Sequence, residues 1–265
     1  MWRVGAAIVM LAITAALVGP WLTPYDAADQ QLSARLDGPS IAHLCGLDEL
    51  GRDVTSRVLA GARVSLLVGL WVVSTSALIG LMLGGIAGYF GGWLDDAISR
   101  LIDVLMAFPG ILLAIALVAV LGPSLTNVVV ALSSIGWVGY ARLVRGQVLR
   151  AREFEFVHAA RVLGARVPRI LARHVLPAVL PAVVVQASLG MAGAIIAEAS
   201  LSFLGLGVQA PTASWGTMLA GGRGHLLDAP HLTVFPGVAI ALLVLGFNFL
   251  GDGLRDLVDQ RHSTY

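Results

Sequence analysis

Few side chains in this sequence are equipped for chemistry, and they fall into three groups. Glu198 lies in a long apolar run together with Gln186, Ser188, Ser200 and Ser202. A carboxyl group among hydrocarbon is costly, so it marks either a solute pathway or a hydrogen-bonded bridge between packed helices. His225 and His231 bracket Asp228. These are metal-ligand types, but they sit in a Gly- and Pro-rich stretch without helical spacing, and no metal site is expected. The third group is arginine: Arg142, Arg145, Arg150, Arg152, Arg161, Arg166, Arg169 and Arg173 crowd one short segment. All 17 basic residues of the chain are arginine. A phosphate-binding loop of the Gly-x4-Gly-Lys-Ser/Thr type needs its lysine on the terminal phosphates, so the chain carries no such ATP site. The lone Cys45 excludes an intrachain disulfide framework. Neither the His-Glu-x-x-His nor the Gly-x-Ser-x-Gly pattern occurs, and no catalytic residue is nominated.

The arginine-rich stretch, EFEFVHAARVLGARVPRILARHVLPAVLP at 153–181, sits between two apolar segments. Its periodicity predicts two short helices. Phe156, Ala159, Ala160 and Leu163 recur at three- and four-residue steps, and Gly164 supplies the left-handed residue that ends many helices. Pro168 opens the second helix, with Val167, Ile170, Leu171 and Val175 as an apolar stripe and Arg166, Arg169 and Arg173 as a basic one. Leu176-Pro177 is expected to close the unit, since proline cannot continue the hydrogen-bond ladder. A rigid helix pair between two spans suits transmission of force from a soluble partner. A basic pair resting on anionic headgroups is the other reading.

Residues 158–177 resemble the cytoplasmic loop signature of ATP-binding-cassette importer permeases: Glu-Ala-Ala, three residues, Gly, nine residues, Ile-x-Leu-Pro. Ala159, Ala160, Gly164, Leu176 and Pro177 match at the right spacing, whereas His158 replaces the signature Glu and His174 the Ile. LDELGRDVTSRVLAGARVSL (47–66), EASLSFLGLGVQAPTASWG (198–216) and FNFLGDGLRDLVDQR (247–261) are similar to the second-subunit type of the dipeptide, oligopeptide and nickel branch. The resemblance implies a type I importer permease fold and a subunit that is not itself an enzyme. It also implies a homologous permease partner in a heterodimer, an extracytoplasmic solute-binding protein, and two cytoplasmic ATPase subunits that hold the ATP and magnesium. Phe156, His158, Ala159, Ala160, Arg161, Leu163, Gly164, Arg166, Leu176 and Pro177 would then form the element coupled to an ATPase. Peptides are the expected solute, with nickel or another small solute as the alternative. A self-sufficient secondary transporter is the reading from another class.

These residues must be held by membrane spans. The chain has 265 residues, 57% hydrophobic and 12% charged, which describes an all-α polytopic membrane protein. A net charge of +1 argues for no nucleic-acid partner. Six spans are expected, near 4–22, 63–90, 104–121, 125–144, 178–205 and 232–250, the first retained rather than cleaved. Residues 1–62 make the first span and an outer loop whose mixed charges read as a solvated face; the resemblance implies that a solute-binding protein docks there. Residues 63–265 make the permease core, with the cytoplasmic loop at 145–177. A short amphipathic helix is expected from Asp48 into the second span. Gly80, Gly84, Gly88 and Gly92 recur every four residues, a stripe for close helix approach. Arg100 and Asp103 are spaced to pair across one turn, and Pro109-Gly110 interrupts the third span. The excess of arginine in the 145–177 loop places it and both termini in the cytoplasm, and the resemblance implies a bacterial inner membrane.

Overall fold

The computed structural model describes residues 1–262. Two long helices organise it. α2 (Val54–Phe90) and α5 (Leu125–Ala151) run side by side, and the glycine stripe is the reason they can. A Cβ at Gly80 would lie 2.3 Å from that of Tyr140, one at Gly84 2.4 Å from the Ala141 carbonyl oxygen, and one at Gly88 2.8 Å from that of Arg145. Only hydrogen fits at these three positions, so the backbones meet directly. Gly92 does not belong to the stripe. It lies beyond the end of α2, where Gly91 (φ +65°) and Gly92 (φ +59°) turn the chain in the left-handed region.

α1 (Trp2–Leu22) lies along α10 (His231–His262) and the outer part of α2. A Cβ at Gly5 would meet the Leu250 amide nitrogen at 2.6 Å, and one at Gly19 the Leu59 Cβ at 2.9 Å. α3 (Gly92–Met106) and α4 (Gly110–Leu121) are bent by 85° to each other. Among the described residues five helices are long and apolar enough to cross a membrane, or six if the bent pair counts as one span. The break falls at Pro109-Gly110 as the sequence predicts, but α4 alone rises only about 18 Å, about half a bilayer core.

Several other expectations need correction. Asp48–Arg52 is a turn, not helix; α2 starts at Val54, capped by Asp53, whose Oδ2 accepts hydrogen bonds from the Ser56 amide (2.7 Å) and hydroxyl (2.9 Å). The boundary placed at residue 62 therefore falls inside a helix. Asp103 bonds Arg142 across to α5 (2.9 Å) rather than Arg100 on its own helix, and Asp95 pairs with Arg145, so α3 is tied to α5 twice. α10 continues through Gly251 and Gly253 to His262, where sequence suggests an end near 250 and a charged tail; residues 263–265 of that tail lie outside the described residues.

The largest correction concerns Leu176-Pro177. α7 (Val167–Ile170) passes through one π turn (Leu171–Val175) into α8 (Leu176–Phe203), and the whole segment is one long helical rod. The Leu176 amide donates to the Leu171 carbonyl, five residues back. That wider ring precedes Pro177, and the extra residue relieves the clash a proline ring makes with the carbonyl of an ordinary helix.

Between α8 and α10, α9 (Trp215–Gly222) closes the outer end. Ser214 and Thr217 form a reciprocal capping box at its start. The Trp215 indole N–H donates to the Val58 carbonyl on α2 (2.8 Å).

Candidate functional site

The arginine-rich segment folds as α6 (Glu155–Val162) packed on the start of the α7–α8 rod. Val157, Ile170 and Val175 are fully enclosed, and Ala160, Phe154 and Leu171 pack on them. Gly164 adopts φ +78°, and the Ala165 amide donates to the Ala160 carbonyl (3.0 Å), which ends α6 and reverses the chain. The loop is therefore a rigid wedge continuous with α5 on one side and α8 on the other.

The tip of that wedge is exposed. Leu163 is 86% and Val162 88% accessible, with Phe156 about half exposed. Arg161, Arg166, Arg169 and Arg173 of the same segment are exposed as well. The apolar positions read from sequence thus divide: Ala160 turns inward with Val157, whereas Phe156, Ala159 and Leu163 turn outward. Val157 and Val162 were missed because both lie between the three- and four-residue steps of the stripe. His158 is exposed, with Nε2 3.6 Å from a Glu153 carboxylate oxygen. Glu153 also accepts from Arg152 (3.0 Å), and Arg152 donates to the Gly88 carbonyl at the foot of α2 (3.0 Å). The histidine in the signature-Glu position therefore joins a polar chain that reaches α2. Leu176 and Pro177 lie inside the rod, below the tip.

Glu198 is far from this wedge and completely buried. One carboxyl oxygen accepts from Ser65 of α2 (3.1 Å) and the other from Ser202 of α8 (2.8 Å). That is the geometry of a helix-packing bridge. Gln186 occupies a different setting: with Ser76, Tyr140 and Gly110 it lines a cavity of about 290 Å3 among α2, α4, α5 and α8. The histidines of the outer segment do not converge. His225 Nδ1 lies 3.0 Å from the Asp228 carboxylate, while buried His231 is 3.2 Å from the Leu47 carbonyl oxygen.

The loop between α1 and α2 turns several of its charges back on itself. Asp48 accepts from the Leu50 and Arg52 amides (2.9 Å each) and from Arg52 Nε (2.7 Å), and the Arg57 side chain donates to the Ala27 carbonyl (3.0 Å). The LDELGRD motif is thus the knot that fastens this loop to the top of α2.

Residues 80–264 match the family described as the binding-protein-dependent transport system inner membrane component. The chain belongs to this family. It is 47% identical over 261 residues to the dipeptide transport system permease protein DppC of Alkalihalophilus pseudofirmus, covering 98% of this chain and 86% of that one. It is 48% identical to the glutathione transport system permease protein GsiD of Pectobacterium atrosepticum, covering 96% and 84% respectively. The fold matches a chain of the MetNI methionine ABC transporter in an inward-facing conformation, with a TM-score of 0.61 at 19% identity over 76% of this chain and 95% of that one. The chain is thus a multi-pass permease of the ABC importer type, as its loop signature implies. The exposed wedge and Gly80, Gly84 and Gly88 lie within the residues that match the family.

Proposed function

We propose that this chain is one of two non-identical permease subunits that together form the path of an ATP-driven importer for short peptides. Relatives named for dipeptide and glutathione transport support that solute class. In this reading two cytoplasmic ATPase subunits bind ATP and magnesium, and an extracytoplasmic solute-binding protein delivers the peptide. The wedge and both termini face the cytoplasm of the bacterial cell, in keeping with the concentration of arginine there.

One observation carries the reading: an apolar tip of Val162 and Leu163 stands exposed, flanked in the chain by the exposed Arg161 and Arg166, on a base whose interior is packed. An exposed apolar knob with charged surroundings suits a cleft in a protein that has complementary acids. Because α6 packs on the start of the α7–α8 rod and follows α5 after a three-residue turn, displacement of the tip moves both spans. Closure of the ATPases on ATP then rocks the pathway, and the ligand acts through its different affinity for the two states.

The test is a pair of variants in the complete transporter. Gly164→Pro forces φ near −65° on a residue that needs +78°, and Arg161→Glu with Arg166→Glu reverses the flanking charges. Both are expected to reach the membrane at normal levels, to lose co-purifying ATPase subunits, and to lower peptide uptake at least tenfold. Normal uptake with normal receptor-stimulated ATP hydrolysis would overturn the coupling role.

A further inference from the structure

The break between α3 and α4 lies level with the middle of α2. Val72 and Val73 stand midway along α2, and they line the same cavity as Gly110, the first residue of α4. A Cβ on Gly110 would touch the Ile135 side chain of α5 at 3.4 Å. α4 therefore begins level with the middle of α2, and Gly110 and Ile111 of its first turn line this cavity. The earliest intrahelical donor toward Pro109 is the Leu112 amide, so the Gly110 and Ile111 amides have no acceptor within the helix. In lipid such groups must be satisfied, and broken helices at this depth are tolerated where they line a watery path.

A second, independent feature borders the same space, where the Ser76 side chain lies against Gly136 of α5. Ser76 is 1% exposed and lines the cavity, and its hydroxyl has no hydrogen-bond partner among the described residues. Opposite it stand Gln186 and the Tyr140 hydroxyl, which donates only a long bond (3.4 Å) to the Gln186 carbonyl. Free amides at a helix N-terminus carry partial positive charge and favour an anion. Hydroxyl and carboxamide donors beside them favour oxygen acceptors.

We infer that this cavity is a transit subsite for the terminal carboxylate of the peptide, received by the Gly110 and Ile111 amides with Ser76, Tyr140 and Gln186 around them. The inference rests on the proposed peptide-import function and adds to it where the solute's negative end is held halfway across. The rest of the lining is apolar, mostly Val, Ile, Leu, Ala and Gly, which leaves the peptide side chains unspecified. The subsite thus recognises what all short peptides share.

The experiment uses the complete transporter in proteoliposomes with a saturating solute-binding protein. Uptake of a radiolabelled neutral dipeptide is compared with uptake of its C-terminal amide. The ratio of the two rates is taken for wild type and for Gly110→Pro, Ser76→Ala and Gln186→Leu. Gly110→Pro deletes one amide donor where proline is accommodated, since the first helical position tolerates it and Pro109 is already extended (ψ 117°). Because the receptor is unchanged, its own preference cancels when ratios are compared between variants.

The acid-to-amide ratio is expected to fall about tenfold in Gly110→Pro, the scale of one lost hydrogen bond to a charged group, and by smaller factors in Ser76→Ala and Gln186→Leu. A ratio equal to wild type in all three overturns the subsite. So does a drop in both rates by the same factor, which is what damaged packing would give. Wild type that carries neither compound, with receptor-stimulated ATP hydrolysis intact, instead overturns the peptide reading itself.

Discussion

A single carboxylate separates pathway from packing in this fold. Glu198 accepts hydrogen bonds from two serine hydroxyls on different helices and is fully buried. Glu198→Gln keeps the shape and one acceptor, so uptake by the complete transporter is expected to stay within about twofold of wild type. Glu198→Leu leaves the Ser65 and Ser202 hydroxyls without that acceptor at a buried site, a loss of about 1–3 kcal/mol. It should lower the midpoint of thermal unfolding in detergent, with uptake falling only as folded protein falls. If Glu198→Gln abolished uptake while the unfolding midpoint stayed put, the residue would be contacting solute. The sequence identified Glu198 as costly but left both roles open, because its serine partners lie 133 residues away on α2 as well as one turn along α8. Ser76 and Tyr140 carried no signal at all. A serine and a tyrosine in apolar spans are common, and only the fold shows that they share a cavity with Gln186 and the start of α4.

At the scale of helices, the junction of α2 with α5 is the contact that positions everything else, and it was legible in the chain. Glycines every fourth residue read directly as a close-approach stripe, and three of the four named do that work. The prediction is sharpest as a contrast between neighbours. Gly84→Leu drives a side chain into the Ala141 backbone, where a Cβ alone would already lie 2.4 Å from oxygen. Overpacking of this kind costs typically about 1–3 kcal/mol, and because backbone rather than a flexible side chain must yield, the upper end is expected. Gly85→Ala, one residue on, meets nothing within 4 Å and should be neutral or slightly stabilising through helix propensity. Thermal unfolding of the purified complex measures both, and equal midpoints for the two variants would remove the stripe's structural role. What sequence handled poorly at this scale were the helix ends. Pro177 suggested a stop and Gly251–Gly253 a release, yet both are absorbed into longer helices, Pro177 by the π turn just before it and the glycines by packing of α10 against α8 and α1. Local propensity is weak beside such packing. The α3–α4 break survived because a proline and a glycine coincide there with a cavity.

For the molecule as a whole, the arrangement of arginines predicts which face of the membrane each feature occupies, and the chain contains its own probe. Cys45 is the only cysteine, placed in the loop that the orientation puts outside. It is half-buried, with its amide held by the Thr55 hydroxyl (3.1 Å). Burial raises the thiol pKa above its ordinary value, with the Thr55 hydroxyl acting in the opposite direction and the nearby Asp53 charge adding to the rise. Since thiolate is the reacting form, little is present near neutrality, and labelling by a membrane-impermeant maleimide should be slow at pH 7 and accelerate as the pH rises towards 9. In right-side-out vesicles Cys45 is expected to label without permeabilisation. In a Cys45→Ser background, Val162→Cys places a thiol at the exposed wedge tip (88% accessible), and this one should label quickly but only after the membrane is opened. The two sites lie at opposite ends of spans that pack as one body, so the sidedness of one fixes that of the other. Labelling of Val162→Cys in sealed right-side-out vesicles would invert the molecule. The arginine-flanked tip would then face away from any cytoplasmic ATPase, and the coupling scheme would fail with it.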